Sequence, residues 1–130
     1  MTTGGKRPAN LPNGYFIEPT IFAGLDNRSS VAREEIFGPV LTVIAYDDED
    51  DAIRIANDSE YGLGGTVWSP DRDHAVAVAA RIHSGTVGIN HYLPDITAPY
   101  GGIKNSGIGR ELGPEGLRGF QHAKSIFMAP

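Results

Sequence analysis

Apolar residues in this 130-residue chain come in short bursts, and the spacing inside each burst points to a particular element. Tyr15–Phe22 (YFIEPTIF) is rich in β-formers but interrupted by Pro19, which predicts an edge or irregular strand. Val40–Tyr46 (VLTVIAY) has β-branched residues and no polar alternation, the pattern of a buried strand. Pro39 stands just ahead of it, where a missing N–H costs least. The acidic run Asp47–Asp51 precedes Ala52, Ile55 and Ala56. Carboxylates favour the positive end of a helix, so this run predicts a helix start, with the helix ending over 57–62. Gly65–Trp68 is a second short strand. Ser69-Pro70-Asp71 predicts another helix start, with a capping hydroxyl and a proline at the first helical position. Ala75, Val78, Ala79 and Ile82 then recur at i, i+3, i+4 and i+7, an amphipathic stripe. Thr86–Asn90 (TVGIN) is a third strand, and Ala123–Met128 a short terminal one.

Strand, helix, strand, helix, strand predicts an α/β fold: a small, mostly parallel sheet with flanking helices. The length fits one domain, and 40% hydrophobic with 21% charged residues is ordinary for a globular chain with a real core. A net charge of −5, with no basic stripe, argues against a nucleic-acid or anionic-membrane partner. No apolar stretch is long enough to span a bilayer, and the N-terminal MTTGGKRPANLPNG lacks the apolar centre of a signal peptide. A cytoplasmic location is therefore expected. Cysteine is absent, which removes disulfides, thiolate–metal sites and a cysteine nucleophile from these residues. His74, His83, His91 and His122 are scattered without ligand spacing, so no metal site is expected.

Six of the 17 glycines fall between Gly101 and Gly116. Neither phosphate-binding fingerprint fits. A dinucleotide motif starting at Gly107 needs glycine where Leu112 stands, and a P-loop starting at Gly102 needs lysine where Ile108 stands. What remains is a stretch whose glycines permit positive φ and close approach of the backbone to something else.

One stretch resists a purely structural account. In REEIFGPV, Glu34 and Glu35 run straight into Ile36, Phe37 and the Gly38-Pro39 corner, at the doorway of the predicted core strand. From the residues alone, a solvated acidic pair at a turn is the simpler reading. Taken in order, however, GGKRP, GYFIEPTIF, EEIFGPV, ANDSEYGLGGTVW, GTVGIN and PYGGIKNSGIGRELG resemble the NAD(P)-dependent aldehyde dehydrogenase superfamily, over essentially the whole chain. The resemblance is to the C-terminal portion of the catalytic domain (residues 1–122) and the oligomerisation strand that follows it (123–130).

The resemblance implies roles for particular residues. Glu35 matches the glutamate that hydrogen-bonds the hydroxyls of the nicotinamide ribose, and Phe37 the aromatic that packs beside it. A carboxylate offers two acceptors to a vicinal diol, and an aromatic face suits a flat, partly apolar ring. Glu34 keeps the solvated reading. Leu93, in the loop over 91–98, and Tyr100 match residues lining the aldehyde channel. Tyr100 read by itself is equally a boundary aromatic with a wet hydroxyl. Glu111 of the GRE motif matches a glutamate assigned to proton relay, although a glutamate opening a helix beside Arg110 accounts for it too. Asn90 is taken as structural. Arg110 resembles an arginine near a subunit interface, but His122 stands where members often carry an acid.

The implied activity is oxidation of a small aldehyde to a carboxylic acid with NAD or NADP, through a cysteine thioester. The cysteine would lie outside these 130 residues, the remainder of the enzyme being one partner and further copies in a homo-oligomer another. The alternative is a truncated, non-catalytic interaction module. Without the resemblance the chain reads as a small α/β ligand-binding domain.

Overall fold

The computed structural model describes all residues, 1–130, as two units, Met1–Ser59 and Glu60–Pro130. In the first, strand β1 (Thr20–Ala23) begins immediately after Pro19 and runs parallel to β2 (Val40–Val43), from Thr20 opposite Val40 to Ala23 opposite Val43. Between them lies one turn of helix, α1 (Ser30–Arg33). The N-terminal segment bridges the other edge of β1, with Thr2 N–H donating to the Ile21 carbonyl and Ile21 N–H to the Thr3 carbonyl. Thr20 is buried because its hydroxyl is fully used: it donates to the Glu18 carbonyl at 2.7 Å and accepts from Gly5 N–H at 2.8 Å.

The acidic run does start a helix, α2 (Glu49–Asn57). Asp48 is its cap, accepting from Asp51 N–H at 2.8 Å, and Glu49, Asp50 and Asp51 fill the first turn. Its buried residue is Ile53, flanked by half-buried Ala52 and Ile55, whereas Ala56 faces solvent. The apolar face is therefore turned from the one the sequence suggested.

The second unit is built around β4 (Gly64–Val67), α3 (Arg72–Ala79) and β5 (Thr86–Ile89), a strand–helix–strand unit with β4 and β5 parallel, Gly64 opposite Thr86. The predicted stripe holds: Ala75 is wholly buried, and Val78, Ala79 and Ile82 half-buried. Asp71 rather than Ser69 caps α3, accepting from His74 N–H at 3.0 Å, and Ser69 instead accepts from Asp71 N–H. Asn90 at the end of β5 has φ 55°, a conformation asparagine tolerates. Its amide clasps the Ser69 backbone from both sides, at 2.8 and 2.7 Å, which supports the structural reading. The unit is completed by β3 (Tyr61–Gly62), antiparallel to β6 (Ile103–Lys104), and by α4 (Gly113–Arg118).

Three expectations need correction. The single parallel sheet does not form: β2 pairs with β1 and not with β4, giving three two-stranded sheets, one of them antiparallel. The Val40–Tyr46 run is a strand only to Val43 and is not buried, with Leu41 57% exposed, because no element covers that face of the pair. Ala123–Met128 joins no sheet, as a strand exists only against a partner. The glycine-rich stretch serves close approach between backbones. A Cβ on Gly85 would sit 1.7 Å from the Gly101 carbonyl, and one on Gly101 2.4 Å from that of Gly109.

Ile53 and Ala75 are the only buried hydrophobic side chains. The chain exposes 10188 Å², where a folded monomer of its mass exposes about 6,700 Å².

Candidate functional site

The first candidate surface follows directly from α1. Glu34 caps that turn, its N–H donating to the Ser30 carbonyl at 2.8 Å, and the chain then turns through Glu35, Ile36 and Phe37 into Gly38-Pro39. Phe37 has φ 56°. For a bulky residue this left-handed conformation costs roughly 1–2 kcal/mol, so the neighbouring structure imposes it. The ring is 91% exposed. Val31, Glu34, Glu35, Ile36, Phe37, Gly38 and Val40 line an open hollow of about 320 Å³. Glu35 is exposed at its edge, and neither an ion pair nor a hydrogen bond engages its carboxylate.

A network of side chains backs this loop. The Arg33 guanidinium donates to both the backbone carbonyl and the carboxylate of Asp58, the latter at 3.1 Å. The Asn27 amide donates to the same two groups of Asp58, each at 3.0 Å, and to the Ile55 carbonyl at 3.4 Å. Hydrogen bonds from Arg33, then Asn27, hold the Asp58 carboxyl below its ordinary range.

The second candidate surface belongs to the other unit. Residues 91–100 fold back beside β5 and line an open pocket of about 280 Å³, with Leu93, Pro94, Ala98, Tyr92 and Tyr100 in its wall. Tyr92 seats this loop. Its hydroxyl lies 2.7 Å from that of Thr86, whose own proton goes to the Leu63 carbonyl at 3.0 Å, so Tyr92 is the donor of the pair. A Cβ on Gly64 would fall 2.2 Å from the same Tyr92 oxygen, so only glycine leaves it room there. The Tyr92 hydroxyl, by bonding the neutral form of Tyr100, pushes that phenol above its ordinary value, and the nearby Glu111 charge adds to this.

Glu111 does not open a helix: α4 begins at Gly113. Its backbone is bridged to Tyr100, and its side chain is exposed, outside the residues that line the pocket. Arg110 is engaged within the chain, donating to the Gly102 and Gly109 carbonyls at 2.7 Å each. His122 lies outside any regular element.

The profile of the aldehyde dehydrogenase family matches residues 1–126. The chain belongs to this family. Geranial dehydrogenase of Castellaniella defragrans is 59% identical over 128 residues, 98% of this chain and 27% of that protein. Betaine aldehyde dehydrogenase of Bacillus subtilis is 48% identical, over 98% of this chain and 26% of that protein. Among solved structures, an aldehyde dehydrogenase of Mycobacterium tuberculosis complexed with NAD+ superposes with a TM-score of 0.94 at 54% identity, over 98% of this chain and 26% of that one. A betaine aldehyde dehydrogenase of Staphylococcus aureus in complex with NAD+ superposes at 0.86 with 47% identity, over 92% of this chain and 24% of that one. The chain thus spans about a quarter of the length of the family members it matches.

Of the residues singled out in the sequence, Glu35 and Phe37 share one hollow, and Leu93 and Tyr100 share one pocket, with Glu111 tied to Tyr100 by main chain. Sequence reasoning missed Tyr92, Thr86, Asn27, Arg33 and Asp58. Arg33 and Asp58 carried a signal, since each sits inside a quoted motif, but their pairing over 25 residues is visible only in the fold.

Proposed function

We propose that this chain is the C-terminal part of an NAD(P)-dependent aldehyde dehydrogenase, which oxidises an aldehyde to a carboxylic acid when joined to the remainder of the enzyme. The observation that carries the reading is the Glu35–Phe37 loop: a carboxylate without a partner beside an outward aromatic in a strained conformation. Strain of this kind persists where a site needs it. Glu35 offers two acceptor oxygens to the ribose diol of the nicotinamide half, and Phe37 an aromatic face beside it. When bound there, NAD(P)+ supplies the hydride acceptor. Leu93 and Tyr100 form part of the wall against which the aldehyde lies. Glu111 carries an exposed carboxylate able to take up and return a proton. The thiol nucleophile comes from outside these residues, which contain no cysteine.

The surface of the chain favours this reading over a free-standing module. About half as much area again is exposed as a folded chain of this mass would leave, and Leu41, Val43, Trp68, Ile108 and Phe120 are among the exposed apolar residues. Packing against the remainder of the enzyme would cover such faces. Residues 123–130, with Ile126, Phe127 and Met128 exposed, are assigned to assembly of a homo-oligomer, where the strand would find its missing partner.

The test is complementation. The 130-residue chain mixed with an aldehyde and NAD+ or NADP+ should produce no reduced cofactor, and co-expression with the N-terminal portion of a family member should restore it. Turnover by the chain alone would overturn the reading.

A further inference from the structure

The Glu35–Phe37 loop raises a mechanical question. A strained, exposed loop keeps its shape only if both ends are held. Its downstream end is secure: Thr20 N–H donates to the Pro39 carbonyl at 2.9 Å, and β2 then runs in register with β1. Its upstream end is α1, a single turn of four residues with no buried residue and no side-chain cap, the Ser29 hydroxyl being buried without a partner. One turn of helix does not hold itself in water. Besides the packing of half-buried Val31 and Ala32, and the Ser29 N–H bond to the Asp26 carbonyl at 3.0 Å, the side-chain ties of α1 are a 3.4 Å bond from the Thr42 hydroxyl to the Val31 carbonyl and the Arg33 grip on Asp58.

Asp58 is a firm place to grip. It caps α2, its N–H donating to the Arg54 carbonyl at 3.0 Å, and α2 is fixed by buried Ile53. The C-terminal end of a helix attracts cations and leaves carbonyls unsatisfied. Arg33 answers the charge and one carbonyl. Asn27 answers the same carbonyl and that of Ile55, and orients the Asp58 carboxylate at the same time.

We infer that Arg33, Asp58 and Asn27 are positioning residues for the cofactor-facing loop, hanging α1 from the C-terminal end of α2 and so setting where Glu35 and Phe37 emerge. This gives the ANDSEYGL motif a task at the cofactor site, and it rests on the proposed role of Glu35. The Arg33 charge is paired with Asp58 at the surface rather than offered to the ligand.

Two readouts in the complete enzyme test this. In cofactor-free protein, hydrogen exchange at the Arg33 and Glu34 amides, which close α1 onto the Ser29 and Ser30 carbonyls, should be about 2- to 5-fold faster in Asp58→Ala, the scale of an exposed charge pair. Arg33→Lys keeps the charge but loses the two-point grip, so it should move the same amides in the same direction by less. It serves if Asp58→Ala does not fold. Exchange in β1 and β2 should not change. In calorimetry with NAD+ or NADP+, Asp58→Ala should weaken binding by a similar factor at an unchanged KM for the aldehyde. On a Glu35→Gln background its further effect should shrink, because only the Phe37 contact is then left to position. Additive losses, tighter binding in Asp58→Ala, or unchanged exchange would overturn the inference while leaving the cofactor reading intact. If Glu35→Gln alone leaves binding unchanged, the cofactor reading fails, and the inference with it.

Discussion

Tyr100 and Glu111 exchange two main-chain hydrogen bonds, Tyr100 N–H to the Glu111 carbonyl at 2.8 Å and Glu111 N–H to the Tyr100 carbonyl at 2.7 Å. The glycine-rich segment between them closes into a loop because Arg110 ties its carbonyls together. The position of Glu111 is thus set by backbone, and its side chain can be changed without moving Tyr100.

Glu111→Gln in the complete enzyme should therefore leave stability unchanged and act on chemistry alone. With proton relay lost after hydride transfer, the first turnover should keep its burst of reduced cofactor while the steady rate falls. Stopped-flow absorbance separates the two phases. A normal steady rate with lowered stability would make Glu111 a structural residue only.

Tyr92→Phe removes the hydroxyl between Thr86 and Tyr100. The Tyr100 phenol should then titrate lower, back toward its ordinary value, with desolvation and the weaker repulsion from Glu111 left to raise it. Ultraviolet titration of the phenolate measures this. Since Tyr92 also seats the loop, KM for the aldehyde should rise about 2- to 10-fold, the range for one lost hydrogen bond. An unchanged titration would mean that the two hydroxyls do not communicate.

The first unit should be sensitive to acid. Asp26 is held at about 2 by hydrogen bonding to Arg28, and Asp51 and Asp58 are lowered by Arg54 and Arg33. A carboxyl with a lower value in the folded state than in the unfolded one stabilises above its ordinary value and ceases to as pH falls through the depressed one. These contributions should be intact from neutral pH to about 5 and fade below the ordinary carboxylate range. Asp26 and Asp58 face solvent and Asp51 is partly exposed, so added salt should diminish the effect. Circular dichroism against pH, at low and high salt, checks this. A transition complete above the ordinary carboxylate range and indifferent to salt would contradict this.

What the sequence made legible follows from how local each interaction is. The acidic start of α2 and the Ala75 stripe depend on residues within a few positions of one another, and both were expected. The rotated face of α2 was not, because both Ile53 and Ile55 are apolar and only tertiary packing chooses between them. The single sheet was not found either. Local pattern identifies strands but not partners, and β2 found β1 across α1. The Glu35–Phe37 site was visible only as part of a family resemblance, since a carboxylate at a turn has no chemical signature of its own. The positive φ of Phe37, which Asn90, Lys104 and Leu112 share, is a feature of the fold that no sequence pattern displays.

Glu34 and Glu35 are adjacent, equally charged and both exposed at the same hollow, so they form an internal control. The most direct measurement is calorimetric binding of NAD+ or NADP+ to the complete enzyme with each glutamate replaced by alanine in turn. Loss of the charge-assisted bonds from Glu35 to the ribose should weaken binding about 10- to 150-fold, and Glu34→Ala should do far less. Equal effects from the two substitutions would contradict the assignment of Glu35 and the account built on it.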